Sequence, residues 1–300
     1  VSELCLGTMN FGMADWGVDE KTSLDVIAAY FDAGGNFIDT ADVYSKGVSE
    51  EICAKGINGR RDRVIVATKG HFPVVKKFGE PPDHENATGS SRRHLTIALH
   101  DSLRRLNTDY IDLYQVHCWD WHTPIEETLS TLNDFVRSGK VRYVGLSNFD
   151  SWQIAECRQL AMRWNWEPFI TAQMQYSLVC RDIETGVTPV CQRYGIGILP
   201  WSPLGGGVLS GKYEGTGAGP KGSRFGDTPD EPNSWRRQFV NERNLKIVDA
   251  VKQVASAHRT TPSAVAVNWV MNRPAVSSVI IGPKRVEQLT DNLAACELKL

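Results

Sequence analysis

An acid, a phenol, an ammonium and an imidazole occupy the same kind of place in this chain, the point where a short apolar run gives out. The stretch "FIDTADVYSKG" (37–47) carries Asp39 and, five residues on, Tyr44. "VIVATK" ends in Lys69, and "IDLYQVH" ends in His117. A lysine and a histidine directly after apolar segments are costly to bury unless each meets a partner. Brought together, the four could do proton chemistry. A free tyrosine titrates at about 10 and is a weak acid at neutral pH, but a nearby ammonium favours the phenolate and lowers that value. A carboxylate beside the ammonium would hold it charged and in place. An imidazole could add a second hydrogen bond to an oxygen that gains negative charge. Singly, Asp39 is equally well a cap of the "TADVY" turn and Tyr44 a half-buried packing residue.

Positioning these groups requires elements that end side by side. Eight short, nearly continuous apolar runs have the pattern of parallel strands buried on both faces. They are "ELCLGT" (3–8), "FIDT" (37–40), "VIVATK" (64–69), "IDLYQVH" (111–117), "VRYVGLSN" (141–148), "FITAQMQ" (169–175), "GIGILPWS" (195–202) and "SSVIIG" (277–282). Helical stretches lie between them. In "TSLDVIAAYFDAGG" Thr22 reads as the N-cap and Gly34 or Gly35 as the stop. "SSRRHLTIALHDSLRRLN" carries apolar residues at helical spacing. "TPIEETLSTLNDFVRSGK" opens on Thr123, with Pro124 at the first helical position, Glu126 as a capping-box partner and Gly139 at its end. "TPSAVAVNWVMNRP" opens in the same way at Thr261-Pro262. Strand and helix alternating eight times predict one (β/α)8 TIM barrel domain over 1–300, with an additional helix and a long Gly-rich loop between strands seven and eight. A doubly wound sheet is the competing architecture.

Barrels of this kind keep their sites at the C-terminal ends of the strands. Those ends carry Thr8 and Met9, Asp39, Lys69, His117, Ser147 and Asn148, Gln173, Ser202 and Gly282. The loop after strand seven holds nine glycines between Gly205 and Gly226. It is too long for a mere connector and leaves the active face, so it reads as a lid rather than a disordered insertion.

Composition bounds the partners. The 300 residues carry a formal charge of −2, which argues against a phosphate-neutralising, nucleic-acid-binding surface. No apolar run approaches the roughly 20 residues that span a bilayer, and no signal peptide opens the chain. The start at Val1 reads as a trimmed N-terminus. Seven scattered cysteines without a CxxC pair fit neither a disulfide framework nor a zinc site. The expected setting is the reducing cytoplasm, with a small-molecule substrate and no nucleic-acid or membrane partner; the oligomeric state stays open.

From "CLGTMNFG" through "FIDTADVY", "IVATK", "DLYQVH", "GKVRYVGLSN", "AQMQYS" and "LPWSPLGGGVLSGKY" to "IIGPKRVEQLTDN", the chain resembles the aldo-keto reductases. The resemblance implies reduction of an aldehyde or ketone by hydride transfer from NADPH, with NADP+ as the spent form. It places the family's catalytic tetrad on Asp39, Tyr44, Lys69 and His117, with Tyr44 as proton donor. It implies that Ser147, Asn148 and Gln173 hold the nicotinamide carboxamide, joined by Asp39 and by Thr8 and Met9 at the ribose. Tyr176 would stack on the nicotinamide ring. Ser202, Leu204 and Gly205 would line the pyrophosphate. Gly282, Lys284, Arg285, Gln288 and Asn292 would hold the adenosine end; alone, that segment reads as an ordinary helix start with exposed basic residues. The sugar, steroid-like or xenobiotic nature of the carbonyl is open. Phe11, Trp16, Phe72, Trp119, Trp121 and Phe149 are candidate walls of the substrate pocket.

Two other motifs lose on inspection. "GGGVLS" (205–210) misses GxGxxG at Ser210, and its acidic partner, Asp227, falls in a Gly/Pro loop rather than at a strand end. "HCWDWH" (117–122) has metal-ligand types, but alternating residues on an extended segment rarely converge on one ion. Two rival functions are a nucleotide-binding regulatory barrel acting on a protein partner and a Schiff-base aldolase with Lys69 as nucleophile.

Overall fold

The computed structural model describes residues 1–13, 17–75, 80–82, 84–215, 219–220, 223–226 and 234–300. Eight parallel strands form the wall: β1 (Leu4–Gly7), β2 (Phe37–Asp39), β3 (Ile65–Gly70), β4 (Ile111–Val116), β5 (Val141–Ser147), β6 (Phe169–Gln175), β7 (Gly197–Trp201) and β8 (Val279–Ile281). They pair in the order β7-β6-β5-β4-β3-β2-β1-β8. The ring is completed where Ile198 bridges Val276 in the segment before β8, with the Ile198 N–H on Ala275 O at 2.6 Å and the Ser277 N–H on Ile198 O at 2.9 Å. This is the expected (β/α)8 barrel.

The outer layer is α1 (Glu20–Asp32), α2 (Val48–Gly56), α3 (Arg92–Arg105), α4 (Ile125–Arg137), α5 (Ser151–Trp164), α6 (Val187–Tyr194), α7 (Trp235–Phe239), α8 (Glu242–Ala257), α9 (Pro262–Met271) and α10 (Val286–Glu297). Two expected starts shift. Asp19, not Thr22, caps α1: its carboxylate accepts the Thr22 N–H at 2.8 Å, which puts Thr22 inside the first turn. Helix α4 begins at Ile125 with Pro124 as its uncapped boundary, because the Thr123 hydroxyl is spent on Asp120 at 2.7 Å. Thr261 and Pro262 open α9 as expected. The insertion between β7 and β8 carries more than one extra helix, since α7 and α8 both precede α9. Its described glycine-rich part is anchored by Val208, Leu209, Tyr213 and Phe225 on a second apolar cluster with Phe239 and Val248.

Strand periodicity sets up the site. Cys5, Phe37, Ala67, Leu113, Leu199 and Ile280 fill the barrel interior as one apolar layer. Side chains two apart on a strand share a face. Asp39 therefore stands above Phe37, Lys69 above Ala67 and Gln115 above Leu113. The intervening residues Thr68 and Tyr114 point outward to the helices.

Candidate active site

The layer above that apolar floor is a closed polar network. The Lys69 ammonium donates to Asp39 Oδ2 at 2.5 Å, to the Thr40 carbonyl at 2.8 Å and to the Tyr44 hydroxyl at 3.2 Å. Asp39 Oδ1 accepts from Gln115 Nε2 at 3.0 Å and from Gln173 Nε2 at 2.8 Å. Lys69 and Asp39 are almost wholly buried. The His117 ring meets the Tyr44 ring edge-on, centroids 5.9 Å apart. The three residues picked out at strand ends and Tyr44 from the loop after β2 thus come together, and Gln115 joins them from within an apolar run.

The charges follow from this packing. Burial alone would favour a neutral Lys69 amine, but Asp39 and Tyr44 outweigh it and raise its pKa, so it stays an ammonium. Burial likewise drives the Tyr44 phenol up. Lys69 pulls it down only in part, so the net direction is up, against the expectation that the ammonium would win. Burial, with Lys69 and His71 nearby, holds His117 well below the usual imidazole range, so the ring is neutral. Its Nδ1 meets no hydrogen-bond partner.

The backbone beside Tyr44 is set with similar care. Ser45 and Lys46 both lie in the left-handed region, at φ 48° and 58°, a costly conformation for residues with side chains that persists only where the surroundings impose it. The Ser45 hydroxyl ties this turn to the Phe11 carbonyl at 2.7 Å. Strands β5 and β7 are also followed directly by left-handed residues, Asn148 (φ 58°) and Ser202 (φ 57°).

A second polar cluster lies behind the wall. Glu50 accepts from the Thr68 hydroxyl and from Arg105 Nε, each at 2.6 Å. Asp42, 1% exposed, has neither carboxylate oxygen hydrogen-bonded, and the Tyr114 hydroxyl and Arg105 Nη2 are also without partners. Burial, with Glu50 close by, pushes the Asp42 pKa well up.

The expected cofactor residues fall along one arc of the rim, in varied states. Thr8 is buried and donates to the Asp39 carbonyl at 3.1 Å, supporting it from below; Met9 follows it. The Ser147 hydroxyl donates to Gln173 O at 3.0 Å, and Asn148 Nδ2 donates to Ser147 Oγ and to His117 O, both at 3.1 Å. Tyr176 does not offer an open face. Its ring is 1% exposed, packed edge-on against Trp269 at 5.6 Å, with its hydroxyl on Glu184 at 2.7 Å. Trp201, half-buried just before Ser202 and not picked out in the sequence, donates from Nε1 to Asn148 Oδ1 at 3.1 Å and stacks on Trp235 at 6.0 Å. Its place at the end of β7 was the available signal. Ser202 Oγ accepts the Gly206 N–H at 3.1 Å, Leu204 packs on the core, and Gly205 is buried in the turn that follows. A Cβ on Gly282 would meet nothing within 4 Å. Arg285 is the N-cap residue of α10, Gln288 Oε1 accepts the Lys284 N–H at 2.8 Å, and Asn292 is buried on the inner face of the helix. Lys212 and Arg224, also unanticipated, belong here. Burial first, then Lys284, Arg285 and Arg224, lower the Lys212 pKa, so several cations crowd one place.

Of the expected pocket walls, Phe72 sits edge-on to His117 at 4.9 Å, and Trp119 and Trp121 also meet edge-on, at 6.0 Å. Phe11 and Phe149 are buried in the core, at 0% and 1% exposure, and lie beneath the walls instead of forming them. Trp16 and Asp227 lie outside the described residues.

The aldo/keto reductase family model matches residues 3–300, and the chain belongs to that family. It is 36% identical to the uncharacterized oxidoreductase YrpG of Bacillus subtilis (strain 168), with 100% of this chain and 89% of the relative covered. It is 33% identical to the aryl-alcohol dehydrogenase [NADP(+)] of Phanerodontia chrysosporium, covering 100% and 80%. It is 32% identical to the norsolorinic acid reductase of Aspergillus flavus, covering 100% and 75%. The protein is an oxidoreductase of a family that generally uses NADP(H). No helix among the described residues is long and apolar enough to cross a membrane.

Proposed function

We propose that this enzyme reduces an aldehyde or ketone to the alcohol with NADPH, using Tyr44 as general acid. The observation that carries the reading is the placement of one ammonium. Lys69, locked to Asp39 at 2.5 Å, also reaches the Tyr44 hydroxyl at 3.2 Å. The residues present fit NADPH: the crowding of Lys212 by Lys284, Arg285 and Arg224 is a field that suits phosphate oxygens. Ser202 and the following glycines would line the pyrophosphate, with the glycine-rich segment above it, and Trp201 would take the stacking role expected of Tyr176.

NADPH, when bound, supplies the hydride. The chain's own part is to bind the carbonyl oxygen and deliver a proton to it. Burial keeps the Tyr44 proton on until negative charge develops nearby. Lys69 then stabilises the phenolate left behind, and Asp39 keeps Lys69 charged and aimed. Neutral His117 gives a second hydrogen bond to the same oxygen.

Tyr44→Phe keeps the ring and removes the proton. Single-turnover kinetics should show hydride transfer slowed by about 10²–10⁴-fold, with NADPH affinity little changed. Near-full turnover would remove Tyr44 from the role. NADPH preference rests on Lys284 and Arg285 at the start of α10, where helix N–H groups also favour anions. Pro283 contributes no N–H, so side-chain charge carries more of the task. A charge-assisted hydrogen bond contributes about 1.5–3 kcal/mol, so Lys284→Met should weaken NADPH by roughly 10- to 100-fold and leave NADH nearly unmoved. Equal losses for both cofactors, measured as dissociation constants, would assign Lys284 to the fold.

A further inference from the structure

The proton chemistry leaves one aromatic cluster unused. Trp121 is 74% exposed and Trp152 is 50% exposed. Their ring centroids lie 6.2 Å apart, and Trp119 meets them at 6.0 and 5.4 Å. Single exposed apolar side chains are ordinary; adjoining indoles on the active face mark a binding surface. Trp119 and Trp121 follow His117 by two and four residues, and Trp152 follows Asn148 by four, so the cluster joins the loop after β4 to the first turn of α5 at the rim of the reaction centre. Phe72 edges onto His117 as well.

This surface is built rather than incidental. Trp119 rests edge-on on buried Phe149 at 5.3 Å. Asp120, between the two tryptophans, accepts from the Ser90 N–H at 2.6 Å, the His122 N–H at 2.9 Å and the Thr123 hydroxyl at 2.7 Å. One carboxylate thus ties the loop after β3 to the loop after β4. A sugar site would pair its stacking ring with side-chain groups aimed at hydroxyls. Here Asp120 is spent on Ser90, His122 and Thr123, and Asp150 is spent on the capping box of α5. What Trp121 and Trp152 themselves expose is flat and apolar.

We propose that Trp119, Trp121 and Trp152 form a preorganised stacking platform for the ring system attached to the reacting carbonyl, and that the preferred substrates are aryl aldehydes and ketones with two or more fused rings. This rests on the carbonyl-reductase reading above and extends it to a substrate class. Trp152 is the specificity-determining addition, and Asp120 is a positioning residue that acts through the loop.

The test compares 2-naphthaldehyde, benzaldehyde and butanal with NADPH in wild type, Trp152→Ala, Trp121→Ala and Asp120→Asn. The kcat/KM ratio of 2-naphthaldehyde to butanal should exceed one in wild type. It should fall roughly 2- to 12-fold for each indole removed, the range of an aromatic pair, mainly through KM. Trp152→Phe should recover most of it. Asp120→Asn should lower the same ratio less. A common loss for all three carbonyls would mean the tryptophans only support the fold. An unchanged ratio, or a changed oligomeric state with an unchanged ratio, would assign the cluster elsewhere and overturn the platform. Calorimetric binding of 2-naphthylmethanol to the NADPH-bound enzyme separates this proposal from the reading beneath it. Binding weakened by Trp152→Ala in an enzyme that reduces none of the carbonyls would uphold the platform and sink the reductase assignment. Equal binding in wild type and variant would sink the platform.

Discussion

Two polar clusters sit back to back across the barrel wall, and they are handled in opposite ways. Inside, Asp39 has both carboxylate oxygens engaged, by Lys69 on one and by Gln115 and Gln173 on the other. Outside, only three residues along the chain, Asp42 has neither oxygen engaged. Thr68 and Lys69 are neighbours in sequence, yet the first serves Glu50 on the outside and the second serves Asp39 on the inside. The two clusters show what buried charge does on each side. The inner one holds a phenol, an ammonium and an imidazole in fixed relation. The outer one joins α2 and α3 to the wall through the Glu50–Arg105 pair and keeps Asp42 as a neutral acid. The backbones meet where the Asp42 N–H donates to the Lys69 carbonyl at 3.2 Å.

The sharpest way to break this contrast is to remove one cation from each side. Lys69→Met and Arg105→Met each strip a buried carboxylate of its partner, a change that typically costs about 3–5 kcal/mol of stability. Only Lys69→Met should also slow hydride transfer, by about 10²–10⁴-fold. Urea melts and single-turnover rates on both variants decide it; comparable rate losses would show that the outer cluster takes part in the chemistry.

A smaller effect comes from the neutral imidazole on the inner side. His117 in the fold titrates well below its unfolded value of about 6.5. Above that value both states are neutral and the group has no effect on stability. As pH falls through the window, the unfolded chain takes a proton that the fold refuses, and stability drops by about 1.4 kcal/mol per pH unit. Burial lowers His71 and His94 in the same direction, so His117→Asn should remove only part of the slope between pH 7 and 5. Superimposable pH–stability curves would show that His117 titrates alike in the folded and unfolded chain.

At the outer acid the sign is reversed. Asp42 in the fold titrates above its unfolded value of about 3.9. Its favourable contribution is complete below that value and is lost as pH rises through the folded pKa. Asp42→Asn is neutral throughout. It should therefore match wild type near pH 4 and become the more stable form toward neutrality, by up to about 1.4 kcal/mol per pH unit crossed. Thermal melts at both pH values measure this. Destabilisation confined to neutral pH would mean that Asp42 is an ionised, partnered carboxylate.

The same contrast explains what could be read in advance. Parallel strands buried on both faces leave continuous apolar runs, so all eight were visible within a residue or two at each end. Asp39, Lys69 and His117 stood out because charge directly after such a run is unusual. Gln115 was hidden because it lies inside one, although the two-residue period from Leu113 points to it. "FIDTADVY" holds two aspartates, Asp39 and Asp42, and the turn of the chain after β2 alone decides which faces inward. The burial of Tyr176 had no local signal. What buries Tyr176 is Trp269 on α9, far along the chain, and that neighbour exists only after folding. Thr22 and Asp19 are both good capping residues, and only the fit of the Asp19 carboxylate to the Thr22 N–H separates them.

The closure of the ring has a consequence for how the molecule breathes. β4 and β5 are zipped by five partner pairs, whereas β7 meets the approach to β8 through the single bridge of Ile198 with Val276. Partial opening can therefore part this one seam while the zipped strands stay shut. Deuterium would then enter at the Ile198 and Ser277 amides long before it reaches β4 and β5. A barrel is usually pictured as a closed hoop, but this one has a clasp.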